Sequence, residues 1–211
     1  LPYYTQSSLD VPESDPGTSV EMIQTLVKFV DDLEIRLVRC RWQQCLAQLA
    51  DQKIHGVFQV RYEPNLLQIG RYPTINQLAD GPVDPAKRMT TARYSLFVPS
   101  QSDMRWNRWQ MNQVPTGLVL VSDDWQLNQS MGRQGIMVAP GSQRQVYQQK
   151  LRQGELPFLL LNEALLTEDE IRPEVSGVRR LSPAYAATDY YLLLSHALVE
   201  DEPLLSQQIW T

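Results

Sequence analysis

A chain of 211 residues that is 43% hydrophobic can bury sizeable cores, yet it is long for one small domain and short for two independent ones, which suits two small lobes sharing strands. Its net charge of −5 and pI near 5.1 come with scattered Lys and Arg, so no basic stripe offers a nucleic-acid footprint. No apolar run reaches the roughly 18–20 residues that direct membrane insertion as a helix requires.

Pro2–Pro16 is rich in Pro, Ser and Asp and reads as a loop, with the adjacent Tyr3 and Tyr4 as its apolar exception. Thr18 and Glu21 form a capping box behind Gly17. Val20, Ile23, Val27 and Val30, widened by Met22, Leu26, Phe29 and Leu33, then predict a helix over Thr18–Leu33 that buries a wide stripe against a sheet. Glu34–Cys40 alternates, with Ile35 and Leu37 on one side and Arg36 on the other, which predicts a strand. For Cys40 and Cys45 the alternatives are a small-loop disulfide and two buried thiols.

Trp42, Cys45, Leu46 and Leu49 lay an apolar stripe along a helix of about two and a half turns. The buried strand Ile54–Val60 follows after only Asp51, Gln52 and Lys53, so helix and strand pack back on one another. Ligands of open α/β sheets gather at the carboxyl ends of such strands. Gln59, Val60, Arg61 and Tyr62 are therefore the first place to look for a site. Thr74–Thr91, with Gly81, Pro82 and Pro85, reads as a connecting region.

Tyr94–Val98 is a strand, and the segment after it carries Trp106 and Trp109 among Arg105 and Arg108. In an acidic chain that pattern reads as surface Trp–Arg packing rather than as base stacking. Strand Gly117–Val121, a helix from about Asp123, strand Gly135–Ala139, helix Ser142–Arg152 with Ser142 as N-cap, and strand Pro157–Leu161 predict a mostly parallel sheet with covered faces. Ser122, Asp123 and Asp124 stand at a helix start. They cap that helix or, where they touch a solute, favour a cationic or neutral polar one. Val178–Pro183 and Thr188–His196 form a return segment, and Glu200–Thr211 a last helix. His55 and His196 are isolated and no C-x-x-C occurs, so no metal site is expected; no Ser/His/Asp or Cys/His order points to catalytic residues.

The run WQQCLAQLADQKIHGVFQVRYEPNLLQIGRYP resembles the bacterial extracellular solute-binding proteins of the amino-acid type (family 3). Pro2-Tyr3-Tyr4 and GTSVEMI upstream, and YSLFV and GELPFLLLNE downstream, look like that family's aromatic opening, first helix, first crossing strand and second-lobe strand, so the resemblance spans nearly the whole chain. It implies an α/β, two-lobed periplasmic-binding-protein-like (type II) fold with a ligand cleft. Lobe I would be residues 1–93 and 190–211, lobe II 99–183, and the crossings 94–98 and 184–189. It also implies a periplasmic monomer with its signal peptide removed before Leu1, no cofactor and no enzymatic activity. Such a protein captures a small polar solute for ABC-type transport or signalling, with a membrane transporter or sensor protein as partner. The alternatives are a degenerate or sensory domain working through protein contacts and a dehydratase-like enzyme on the same scaffold.

By the same resemblance, Tyr3, Tyr4, Trp42, Gln59, Arg61, Ser122, Asp123 and Asn162 are the candidate ligand residues. The family holds an α-amino acid by a bidentate arginine and a carboxylate, and here Leu66 and Asn162 stand at those positions. Losing both partners of a zwitterion makes the usual mode of α-amino-acid binding unexpected, with Arg61 as the nearby replacement cation.

Overall fold

The computed structural model describes residues 17–31, 33–77, 81–107, 116–122, 124–166, 169 and 177–211. Its contacts divide the described residues into two compact units, one of residues 17–91 and 188–211, the other of residues 92–187. Strands β2 (Thr90–Pro99) and β7 (Ala186–Leu194) carry the chain from one unit to the other.

In the first unit, β1 (Gly56–Arg61) pairs antiparallel with β7. Helix α2 (Trp42–Ala50) covers one face, sending Cys45 and Leu49 into a cluster with Val57, Val60, Leu66, Tyr72, Tyr191 and Leu193. Helices α1 (Thr18–Thr25), α5 (His196–Asp201) and α6 (Pro203–Trp210) supply the other face, packed on Phe58, Leu192 and Leu194. Val57 and Val60 share a face although an odd number of steps separates them. The register slips between them, and Gln59 sits there at φ 58°, so one extra residue restores the inward side.

Three expectations for this unit need correction. Helix α1 ends at Thr25 and tightens into a 3₁₀ turn over Leu26–Lys28 instead of running to Leu33. The Thr25 hydroxyl donates to the Glu21 carbonyl, a back-bond that weakens the helix ladder. The rotation that follows leaves Val27 and Phe29 exposed, so the wide stripe is not buried as a whole. Gly17, not Thr18, is the N-cap, and no side-chain cap bond forms. Glu34–Cys40 alternates in burial as expected, with Ile35 and Leu37 packed on the core, but it is not one of the described strands. Alternation encodes which side faces in; it does not supply a neighbour for the ladder. Cys40 and Cys45 are joined as a disulfide with Cα atoms 5.6 Å apart, at the start of α2.

In the second unit, β3 (Leu118–Val121) lies between β4 (Met137–Ala139) and β5 (Phe158–Asn162), parallel to both. Strand β2 pairs antiparallel with β5 on one edge and with β6 (Val178–Arg180) on the other. The sheet is therefore mixed, not mostly parallel. Parallel pairing needs a crossover, and among the described elements only β3–α3–β4–α4–β5 contains them. Helix α3 (Trp125–Arg133) and helix α4 (Arg144–Arg152) cover opposite faces. Leu127 and Met131 meet Leu96, Leu118, Leu120 and Leu160 on one, and Leu151 meets Phe97, Val119, Leu159 and Leu161 on the other. The runs LVLV and FLLL are buried on both sides, which is why they read as continuous apolar segments.

Helix α4 is preceded by a 3₁₀ turn over Gly141–Gln143, so Ser142 is not its N-cap; Gln143 is, without a side-chain bond. Trp106 does not read as surface Trp–Arg packing. Its ring stacks on Tyr185 at 5.6 Å between centroids and lies against the core. Arg108 and Trp109 lie outside the described residues.

Candidate binding site

The chemistry of the second unit collects where its parallel strands end. Val121 closes β3, Leu161 and Asn162 close β5, and the turn leaving β4 brings Gly141, Ser142, Arg144 and Gln145 beside them. These residues line an open pocket of about 310 Å³. Carboxyl ends of parallel strands are where open α/β sheets bind ligands, because the helices that follow leave a crevice there. Gly141 begins the turn that becomes α4, and the first N–H groups of a helix have no intrahelical acceptor. Arg144 is the one charged side chain among the described lining residues.

Polar side chains around this pocket are held by local partners. Asn162 accepts a hydrogen bond from the Ala164 amide at 3.1 Å, which fixes its carboxamide at the end of β5. The neighbouring Glu163 is bound at both oxygens. The Ser95 hydroxyl donates to one, and Arg180 Nη1 donates to the other at 3.0 Å. Ser122 is buried and lies outside the lining. Its Oγ accepts from the Asp124 amide at 2.9 Å and lies 3.4 Å from the Tyr94 hydroxyl. Asp124 caps α3 by accepting from the Leu127 amide at 2.9 Å, so the carboxylate is used on its own helix.

In the first unit the sequence-selected residues are also engaged. Trp42 opens α2 and is half-buried against its core cluster. The Gln59 amide donates to Ser19 Oγ, and the Thr90 hydroxyl donates to Gln59 Oε1 at 3.1 Å, so the bulge is pinned at both ends. Arg61 Nε donates to Glu63 Oε1 at 3.2 Å, and the Arg61 carbonyl accepts from the Tyr72 hydroxyl at 2.7 Å. Burial pushes the Tyr72 phenol above the ordinary tyrosine range. Leu66 is a core residue, buried beside Cys45 and Val57. Tyr3, Tyr4 and Asp123 lie outside the described residues.

Of the described residues that the sequence singles out as ligand candidates, Asn162 alone lines the pocket, and Gly141, Arg144 and Gln145 are not among those candidates. The signal that marks them is a short strand followed by Pro140-Gly141 and, after one turn, a helix, a pattern that places backbone N–H groups near a strand's carboxyl end. Among the described residues no group of three or more His, Cys, Asp or Glu side chains is arranged to hold a metal, and no helix is long and apolar enough to cross a membrane.

No protein-family pattern and no curated protein matches the chain. Solved structures do. A histidine kinase sensor domain with similarity to periplasmic binding proteins superposes with a TM-score of 0.56 at 10% identity, covering 90% of this chain and 77% of that one. The probable amino-acid ABC transporter extracellular-binding protein of Bacillus subtilis gives 0.55 at 12% identity, with coverage of 90% and 79%. The arginine-binding protein of T. maritima in its holo form gives 0.53 at 14%, with coverage of 92% and 76%. These neighbours are binding proteins and a sensor, and the likeness shows the fold: this chain has the α/β architecture of the periplasmic-binding-protein-like class.

Proposed function

We propose that this chain is a solute-binding module that captures a small polar molecule outside the cytoplasm, for delivery to an ABC-type transporter or for sensing by a membrane-bound partner, and that it performs no catalysis. The observation that carries this reading is the open pocket of about 310 Å³ at the ends of β3 and β5, lined by Ser142, Arg144, Gln145 and Asn162. That volume is at the lower end of ligand sites and suits a molecule of metabolite size. Solved neighbours of the same fold include an amino-acid-type extracellular binding protein and a kinase sensor domain, which support capture of a small ligand in either role.

A sensory or degenerate domain working through protein contacts is the second reading. It is favoured by the first unit, where Arg61 is already paired with Glu63 and Leu66 belongs to the core.

A thermal-shift screen against a broad metabolite library separates the two. A ligand at a hundred times its Kd adds about 2.7 kcal/mol of stability, or roughly 5 °C or more in midpoint for a chain of this size. We expect at least one small polar solute to give such a shift. Ser142 is exposed, so Ser142→Trp fills the pocket without disturbing the core, and it is expected to abolish the shift while leaving the unliganded midpoint in place. A library that shifts nothing, or a shift indifferent to Ser142→Trp, counts against solute binding at this pocket.

A further inference from the structure

We infer that Cys40 and Cys45 are a modification site: the unfolded chain is oxidised there by a disulfide donor, Cys40 reacting first, and folding then seals the bond against reductants. The pair belongs to the first unit, so its chemistry is independent of the solute pocket. These are the chain's two cysteines; they are joined, and neither is free. Cys45 is 0% exposed among Leu49, Val57, Val60 and Leu66, whereas Cys40 is half-buried. Their bond ties residues 34–40, which belong to no described strand, to the first turn of α2, where the Cys45 amide donates to the Arg41 carbonyl at 2.8 Å.

In the sequence Cys40 stands between Arg39 and Arg41, and Cys45 between Gln44 and Leu46. Neighbouring guanidiniums favour the thiolate, the form that attacks a disulfide. In the unfolded chain the Cys40 thiolate therefore attacks first. One donor sulfur bonds to Cys40, and the other leaves as a thiolate. The Cys45 thiolate then attacks the Cys40 sulfur and expels the remaining donor sulfur, so the chain loses two electrons and two protons and the donor becomes two thiols. Compartments outside the cytoplasm sustain such oxidation. Once α2 has packed down, neither route back is open. A reductant does not reach the Cys45 sulfur inside the cluster, and attack at Cys40 expels the Cys45 thiolate into apolar surroundings that disfavour its charge.

The test uses the full chain, oxidised glutathione as donor and dithiothreitol as reductant. In urea at low salt, reduced Cys45→Ser should form its glutathione mixed disulfide about 2- to 5-fold faster than reduced Cys40→Ser, because the arginines raise the thiolate fraction and attract the anionic donor. Adding Arg39→Gln and Arg41→Gln to both variants should bring that ratio close to one. Equal rates, or a ratio indifferent to the arginines, overturn the assigned order. In buffer, dithiothreitol should open the bond of the folded protein at least about 100-fold more slowly than in urea. Comparable rates, with circular dichroism showing the protein still folded, overturn the sealing. The parent chain reduced in urea and refolded under dithiothreitol should melt roughly 4–8 °C below the oxidised protein, or fail to fold. An equal melting point would show that two buried thiols serve as well, and would overturn oxidation as a step that folding depends on.

Discussion

Replacing Phe97 with alanine is expected to cost about 3–5 kcal/mol. Phe97 is 1% exposed and sits mid-strand in β2, with Leu159 of β5 on one side and Arg180 of β6 on the other. Its ring meets Val119, Leu159, Leu161 and Leu151, the layer that joins the sheet to α4. Alanine removes the ring's transfer free energy and leaves a cavity that strands fixed on both edges cannot close. Against a total stability of about 5–15 kcal/mol, that loss is about a fifth or more. Urea unfolding should show a lower midpoint at an unchanged slope. Phe29→Ala is the control: Phe29 is 79% exposed, and its change should stay within about 0.5 kcal/mol. Equal losses at the two positions would contradict the packing described.

Gly70→Ala should destabilise the first unit by about 1–3 kcal/mol, and by more if the backbone cannot yield. A Cβ there would stand 2.6 Å from the Leu194 carbonyl oxygen and 2.9 Å from Leu193 Cγ. Both belong to β7, whose Leu194 is bonded to Arg71 immediately after the glycine. The obstacle is a backbone atom held in a pairing, not the end of a flexible side chain. Gly132→Ala makes the opposite comparison. Nothing lies within 4 Å of its Cβ position inside α3, and alanine there should be neutral or stabilising by about 0.5–1 kcal/mol. Thermal unfolding of the two variants checks both signs; a melting point for Gly70→Ala equal to that of the parent would show that the close approach to β7 is not maintained.

Much of the framework is legible in the sequence, for identifiable reasons. LVLV and FLLL are strands apolar on both sides, and Cys45 and Leu49 mark the inward stripe of α2. Local pattern does not encode partners. Ile35 and Leu37 alternate toward the core, yet nothing in their spacing says whether a neighbour completes a ladder. The bulge at Gln59 is equally silent, since Gln is not a residue that favours positive φ. The far half of the first expected helix is not legible, because Val27 and Phe29 are apolar whether the backbone turns them inward or, as here, outward.

The pocket was harder to read because it is assembled from three separated segments, the ends of β3 and β5 and the turn after β4. Asn162 is legible through the family resemblance, which sets it where the family's carboxylate stands. Arg144 is not, because one arginine at a helix start is an ordinary surface residue until strands at its side make a concavity. Arg61 shows the converse. It leaves a strand end, as a ligand residue should, and the structure pairs it with Glu63 two positions on.

The most direct measurement is amide chemical-shift mapping of the labelled protein as the best solute from the thermal screen is titrated in. If the module binds through the second unit's pocket, the largest saturable shifts fall on Gly141, Ser142, Arg144, Gln145 and Asn162, with Val121 and Leu161 beneath them. Saturable shifts that leave those residues unmoved and cluster elsewhere would contradict it.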